Sequence, residues 1–109
     1  MSVIANGGSL MAPQIVKSIE SQDGEVERQQ SKVVREVIPE KTAHFISDAL
    51  ACVTQPGGTA TFARVNGFNV AGKTGTAQKV SEKGGYAPGE YVVSFVGYMP
   101  AEDPRFVCL

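Results

Sequence analysis

The sequence predicts an α+β fold, an antiparallel sheet with one packed helix. Three observations carry that reading. Residues 39–53 repeat apolar side chains at three- and four-residue steps and close on Pro56-Gly57-Gly58, a helix with its stop. The other apolar runs are short, rich in Val, Ile, Phe and Tyr, and bounded by Gly, Pro, Asp and Asn. Their order is strand, strand, helix, then three strands, without the regular strand–helix alternation that a parallel sheet requires.

Taken in turn, Met1-Ser2-Val3-Ile4-Ala5-Asn6-Gly7-Gly8 reads as the last turn of a helix and its glycine stop. Ser9 to Ser21 has β-branched residues and Pro13, which predicts an edge strand, with a tight turn at Asp23-Gly24. Val33 to Ile38 reads as a second short strand. Pro39-Glu40-Lys41 opens the helix, because proline is tolerated in a first turn and Glu40 suits the positive end of the helix dipole. Its apolar stripe is Ala43, Ile46, Ala49, Leu50 and Val53. Phe68 to Gln78 reads as extended, and Val80 to Glu90 as polar turns. Tyr91 to Met99 is apolar on both faces, which predicts a strand buried on two sides. Pro100 to Pro104 turns the chain, and Arg105 to Leu109 begins the last strand. There is no internal repeat and no low-complexity segment.

The totals narrow the function classes. A length of 109 residues suits one domain, with roughly 65% of the unfolded surface buried and a core formed without staples. Hydrophobic residues at 42% and charged ones at 19% are the balance of a globular chain. A formal charge of -1 without a Lys/Arg cluster argues against nucleic acid as a partner. No apolar run approaches the roughly 20 residues of a membrane span, so no membrane contact by this segment is expected. No signal-peptide pattern follows Met1. An opening inside a helix end and a finish inside a strand read as a piece of a longer chain. Cys52 and Cys108 lack C-x-x-C spacing and a histidine cluster, so no metal and no other cofactor is expected. Both thiols are expected unpaired and buried as small apolar groups. His44, the only histidine, lies between Ala43 and Phe45 and reads as a helix-surface residue.

Lys73 carries the chemistry, and its surroundings admit two readings. Gly67, Gly72, Lys73 and Thr74 fit the phosphate-cradling G-x-x-x-x-G-K-[ST] pattern. That pattern needs a glycine-rich loop and then a helix facing the phosphates. Here the loop is Phe68-Asn69-Val70-Ala71, which alternates like a strand, and the would-be helix has Gly75 in its first turn and almost no apolar stripe. Lys73-Thr74-Gly75 is also the K-T-G element of serine acyltransferases that react with penicillin. It calls for a strand edging a cleft, a turn and an antiparallel partner, which "VAGKTGTAQKV" and "YVVSFVGYMP" supply. The context favours the second reading.

K-T-G alone is three residues, but "IANGGSLMAPQIV", "VIPEKTAHFISDAL", "PGGTA", "VAGKTGTAQK" and "SFVGYMPAEDPRF" run the whole length of the chain. Together, in this order, they resemble the C-terminal part of the transpeptidase domain of class B penicillin-binding proteins, the peptidoglycan transpeptidases of cell division and elongation. The resemblance implies the penicillin-binding/serine β-lactamase-like fold. It implies that Lys73 supplies positive charge that eases proton movement and attracts the substrate carboxylate. Thr74 and Thr76 would bind that carboxylate through their hydroxyls, and the Thr76 backbone N–H would be one oxyanion donor. Gly75, without a side chain, would let the acyl group lie close against the strand. A regular strand turns Lys73 and Thr74 to opposite faces, whereas these roles put both at the cleft.

The family pattern is incomplete here. No serine has lysine three positions later or asparagine two later, so the S-x-x-K nucleophile and the S-x-N relay are absent. The expected assignment for residues 1–109 is therefore one wall of the active site of a serine D,D-transpeptidase that cross-links peptidoglycan stem peptides. By itself the chain is expected to be inactive. Its implied partners are the stem peptide and β-lactams in the complete domain, with self-association through an exposed sheet edge in the isolated chain. The implied location is extracytoplasmic. A carboxypeptidase and a β-lactam-sensing receptor share the K-T-G element, and a non-catalytic peptide-binding or structural module would keep the fold; these stand as alternatives.

Overall fold

A computed structural model describes residues 1–82 and 84–109. Helix α1 (Ser2–Ala5) stops at Gly7 and Gly8, which adopt φ of 63° and 95°. The Gly8 amide closes the turn on the Val3 carbonyl at 2.8 Å. A Cβ on Gly8 would lie 1.9 Å from the Ile38 carbonyl oxygen, so no other residue fits between the helix end and that chain.

The single strand expected over Ser9 to Ser21 is two. Strand β1 (Ser9–Met11) and β2 (Ser18–Glu20) are separated at Pro13, which has no N–H to continue the ladder. Strand β2 pairs antiparallel with β3 (Val26–Arg28) around a turn in which Gly24 has φ 82°. Strand β1 pairs with β4 (Val33–Glu36), Ser9 opposite Glu36. Four strands thus precede the main helix where two were expected. Strand β3 was missed because Val26-Glu27-Arg28, exposed throughout, has no apolar alternation to reveal it.

Helix α2 (Glu40–Ala51) starts after Pro39 as expected. Its buried ridge differs from the predicted stripe. Ala43 and Ser47 are buried, Thr54 is buried in the turn that follows the helix, and Ala49 faces outward. Ser47 is tolerated inside because the Tyr98 hydroxyl donates to its Oγ at 2.8 Å, while Ser47 donates to the Ala101 carbonyl at 3.3 Å. His44 lies on the exposed face, its Nε2 3.5 Å from Glu40 Oε1.

The main sheet has the order β5-β6-β7, all antiparallel: β5 (Ala71–Val80), β6 (Tyr86–Met99) and β7 (Phe106–Cys108). Strand β6 reaches back through residues that the sequence reading gave to a turn. A register shift between Gln78 and Val80 accommodates the extra length beside Pro88 and Gly89. Position 83, within that predicted turn, lies outside the described residues.

The expected self-contained core does not form among the described residues. The buried apolar side chains are Ala43, Ala60, Val70, Ala71 and Tyr98. Strand β6 is buried at Gly97 and Tyr98 only, and Val92 and Val93 are 55% and 67% exposed rather than covered on both faces. The accessible surface is 8486 Å², whereas a compact monomer of this mass exposes about 5,800 Å². The radius of gyration is 18.6 Å, against about 13 Å for a compact domain of this length. The excess surface is roughly 2,700 Å². Cys52 and Cys108 are unpaired, as expected, but both are exposed rather than buried. Among the described residues no helix is long and apolar enough to cross a membrane.

Candidate functional site

The site is built on the first half of β5, and several devices hold that segment. The Thr54 hydroxyl, at the end of α2, donates to the Val70 carbonyl at 2.9 Å. Asn69 ties the start of the strand to the turn after β6: its carbonyl accepts from the Ala101 amide at 2.9 Å, and its side-chain amide donates to Glu102. That side-chain bond holds the Glu102 carboxyl below its ordinary value. Ala71 is fully buried opposite Tyr98. Gly72 must be glycine, since a Cβ there would lie 2.3 Å from Phe95 Cζ and 2.7 Å from the Val96 carbonyl oxygen. Residues 70–72 are therefore clamped, and the chain emerges into solvent at Lys73, which is exposed.

From Lys73 onward β5 pairs on one side only. Lys73 faces Val96, Thr74 Phe95, Gly75 Ser94 and Thr76 Val93 across the ladder, and no described strand covers the other edge. Alternate backbone groups of such a strand are left free for another chain or a ligand. The register puts Lys73 and Gly75 on the face of Ala71 and Tyr98, which packs on α2, and Thr74 and Thr76 on the opposite face. Lysine and threonine nevertheless meet. Lys73 curls round the strand so that its Nζ donates to the Thr74 carbonyl oxygen at 3.0 Å. The charge thus lies beside Thr74 despite the opposite faces. Gly75 is crowded from one direction only: a Cβ would meet Ser94 Oγ at 2.8 Å.

One residue that the sequence reading passed over joins this group. Thr59 Oγ1 lies 3.3 Å from Thr74 Oγ1. The Pro56-Gly57-Gly58 segment was read as the end of a helix and, within "PGGTA", as part of the family resemblance, but no role was given to Thr59, which it delivers to the strand. Gly58 is wedged under two carbonyls, with Val53 O 2.2 Å and Cys52 O 2.6 Å from a would-be Cβ. Ala60 is fully buried and its amide donates to the Val53 carbonyl at 2.9 Å. Farther on, Phe62 sets its ring edge against Phe95, with centroids 6.5 Å apart. The signal for Thr59 was a hydroxyl residue between a glycine pair and a small apolar one, too common a pattern to act on.

His44 stands apart. It lines a shallow hollow with Asp48, Asn69 and Glu102 that includes none of residues 73–76. The phosphate-loop pattern also lacks its required geometry, because Ala71–Val80 is a strand and no helix begins after Lys73. What the arrangement offers chemically is an ammonium, two threonine hydroxyls and a row of unpaired backbone groups along an open edge. Such a set suits an extended peptide ending in a carboxylate.

Comparison with known proteins places the fold in a family. Residues 1–109 match the family described as the penicillin binding protein transpeptidase domain. Stage V sporulation protein D of Bacillus subtilis is 41% identical over 109 residues, covering 98% of this chain and 17% of that protein. The D,D-transpeptidase domain of a peptidoglycan glycosyltransferase from Eggerthella lenta superimposes with a TM-score of 0.81 at 36% identity, over 97% of this chain and 24% of that one. Penicillin binding protein 3 from Mycobacterium tuberculosis gives 0.83 at 34% identity, over 96% of this chain and 25% of that one; it has been solved in apo form and with aztreonam and ampicillin. The chain thus spans about a sixth of the length of the curated relative and about a quarter of these solved chains. On the family match and on sequence identity across nearly all its length, the chain belongs to the penicillin binding protein transpeptidase domain family.

Proposed function

We propose that residues 1–109 form one wall of the active site of a serine D,D-transpeptidase of class B, acting on peptidoglycan stem peptides outside the cytoplasm. The observation that carries this reading is the open edge of β5, where the Lys73 ammonium meets the Thr74 carbonyl beside two threonine hydroxyls. In the reaction, a serine supplied by the rest of the domain attacks the penultimate D-Ala carbonyl of a stem peptide. D-Ala leaves with a proton on its nitrogen, and the amine of a neighbouring stem then displaces the serine.

Each residue of the edge has a part in this scheme. Lys73 places positive charge beside the reacting centre, where it favours the deprotonated serine and draws in the terminal carboxylate. The hydroxyls of Thr74 and Thr76 bind that carboxylate, or its equivalent on a β-lactam. The Thr76 N–H is one of two oxyanion donors. In an antiparallel ladder alternate residues turn their backbone groups to the same side. A Thr74 carbonyl engaged by Lys73 at the open edge therefore supports a Thr76 N–H on that edge, two residues on. Gly75 leaves space for the acyl group. The large uncovered surface and the small share of the relatives' length support a chain completed by further segments of one domain, which bring the nucleophile.

The test is made on the full-length protein that contains this chain. It should form a stoichiometric adduct with a fluorescent penicillin and release D-Ala from a stem pentapeptide when an acceptor amine is present. Lys73→Ala should slow both. An adduct without D-Ala release would assign the protein to β-lactam sensing, and D-Ala release without transfer would make it a carboxypeptidase.

A further inference from the structure

We infer that Thr59 is a positioning residue for the carboxylate site: its hydroxyl orients that of Thr74, so that Thr74 presents its proton to the bound anion. The inference deepens the proposed function and rests on Thr74 as a carboxylate ligand.

The two oxygens are 3.3 Å apart, and either hydroxyl can donate in the free protein. A carboxylate removes that freedom. It only accepts, so Thr74 must spend its single proton on the anion, and its oxygen then accepts from Thr59. Thr59 Oγ1–H to Thr74 Oγ1–H to carboxylate is a chain in which each bond polarises the next. The direction of both protons follows because the ligand oxygen only accepts, and the polarised chain binds a charged acceptor more strongly than a neutral ester oxygen, so the device favours the acid.

Thr59 is held for this task from both sides. Gly58 before it accepts no side chain under the Val53 and Cys52 carbonyls, and buried Ala60 after it is bonded to Val53. The residue itself is exposed, and Thr74 is half-buried. An exposed hydroxyl fixed between two clamped neighbours loses little further freedom on ligand binding. Thr59 is fifteen positions from Thr74, so the loop after α2, and not β5, places its hydroxyl.

The experiment compares second-order acylation constants of the full-length transpeptidase for a penicillin and for its carboxylate methyl ester. Thr59→Val removes the hydroxyl and keeps the β-branched shape, Thr59→Ala removes both, and Thr59→Ser keeps the hydroxyl. For the free acid, the Val and Ala variants should fall about five- to tenfold, the weight of one hydrogen bond between neutral hydroxyls, and Ser should stay within about twofold of wild type. For the ester, whose neutral oxygen accepts a weaker bond, all variants should stay within about twofold of wild type. Equal slowing of acid and ester would mean a merely structural role and would overturn the inference, as would unchanged acid rates or hydroxyl-free variants that both fail to fold. Thr74→Val separates the two layers. If it leaves the preference for acid over ester intact, the reading of Thr74 is wrong; if it removes the preference while Thr59→Val does not, only the role of Thr59 is wrong.

Discussion

Replacing Gly75 by alanine separates two reasons for a bare position in the edge strand. A Cβ there would stand 2.8 Å from Ser94 Oγ and meet nothing else within 4 Å beyond its chain neighbours. The obstructing atom ends a side chain with one rotatable bond. Turning it aside costs on the order of 0.5–1.5 kcal/mol, while alanine returns about 0.5–1 kcal/mol of glycine's extra chain entropy. The fold should therefore stay within about 1 kcal/mol of wild type. Gly72→Ala is the contrast: its Cβ meets the Phe95 ring and the Val96 backbone, neither of which can turn away freely. That change should cost about 1–3 kcal/mol. If the bare Gly75 serves the acyl group, Gly75→Ala should slow penicillin acylation about a hundredfold, the scale of a misplacement of ~1 Å. Urea unfolding of the full-length protein gives the stability and stopped-flow fluorescence the acylation rate. Recovery of the rate in Gly75→Ala/Ser94→Ala would refute the reasoning, because the glycine would then be serving Ser94 and not the ligand.

Lys73→Ala should reduce acylation more than Thr76→Val, because valine keeps the backbone donor whose loss costs ~3 kcal/mol; equal rates with a fluorescent penicillin would contradict the division of roles. Ser47→Ala leaves the buried Tyr98 hydroxyl without its partner at 2.8 Å and should cost about 1–3 kcal/mol. Ser47→Ala/Tyr98→Phe should cost less than the sum of its single changes, and strict additivity in urea unfolding would argue against the pin. The isolated chain should form no covalent penicillin adduct by intact mass, since no S-x-x-K serine is present. It should also report more than one copy per particle by light scattering, because edge strand β7 leaves Phe106 62% and Leu109 93% exposed; an adduct or a clean monomer would count against these two statements respectively.

Sequence reading reached some levels of this structure and not others. The helix after Pro39, the extended Lys73 segment and the order of the last three strands were legible, because each rests on local periodicity or turn chemistry. Strands β2 and β3 were not separated or seen, because Val26-Glu27-Arg28 pairs through its backbone and buries no side chain. Ser47 in place of Ala49 on the buried ridge depended on Tyr98, 51 positions away, which satisfies its hydroxyl. Burial of β6 was overestimated for a related reason: composition tells that Val92 and Val93 are apolar, not what lies over them. The K-T-G residues stood out by their spacing, whereas Thr59 reaches Thr74 only through the path of the loop after α2. The opposed faces of Lys73 and Thr74 were foreseen, and the lysine bending back to the Thr74 carbonyl is how they meet.

The measurement closest to the central claim is a crystal structure of the full-length protein acylated by a penicillin. The account predicts the antibiotic lying along the free edge of β5, its carboxylate about 2.7–3.2 Å from the hydroxyls of Thr74 and Thr76 and its acyl oxygen at that distance from the Thr76 N–H. An acyl group bound elsewhere, or a β5 edge covered by another protein strand, would contradict it.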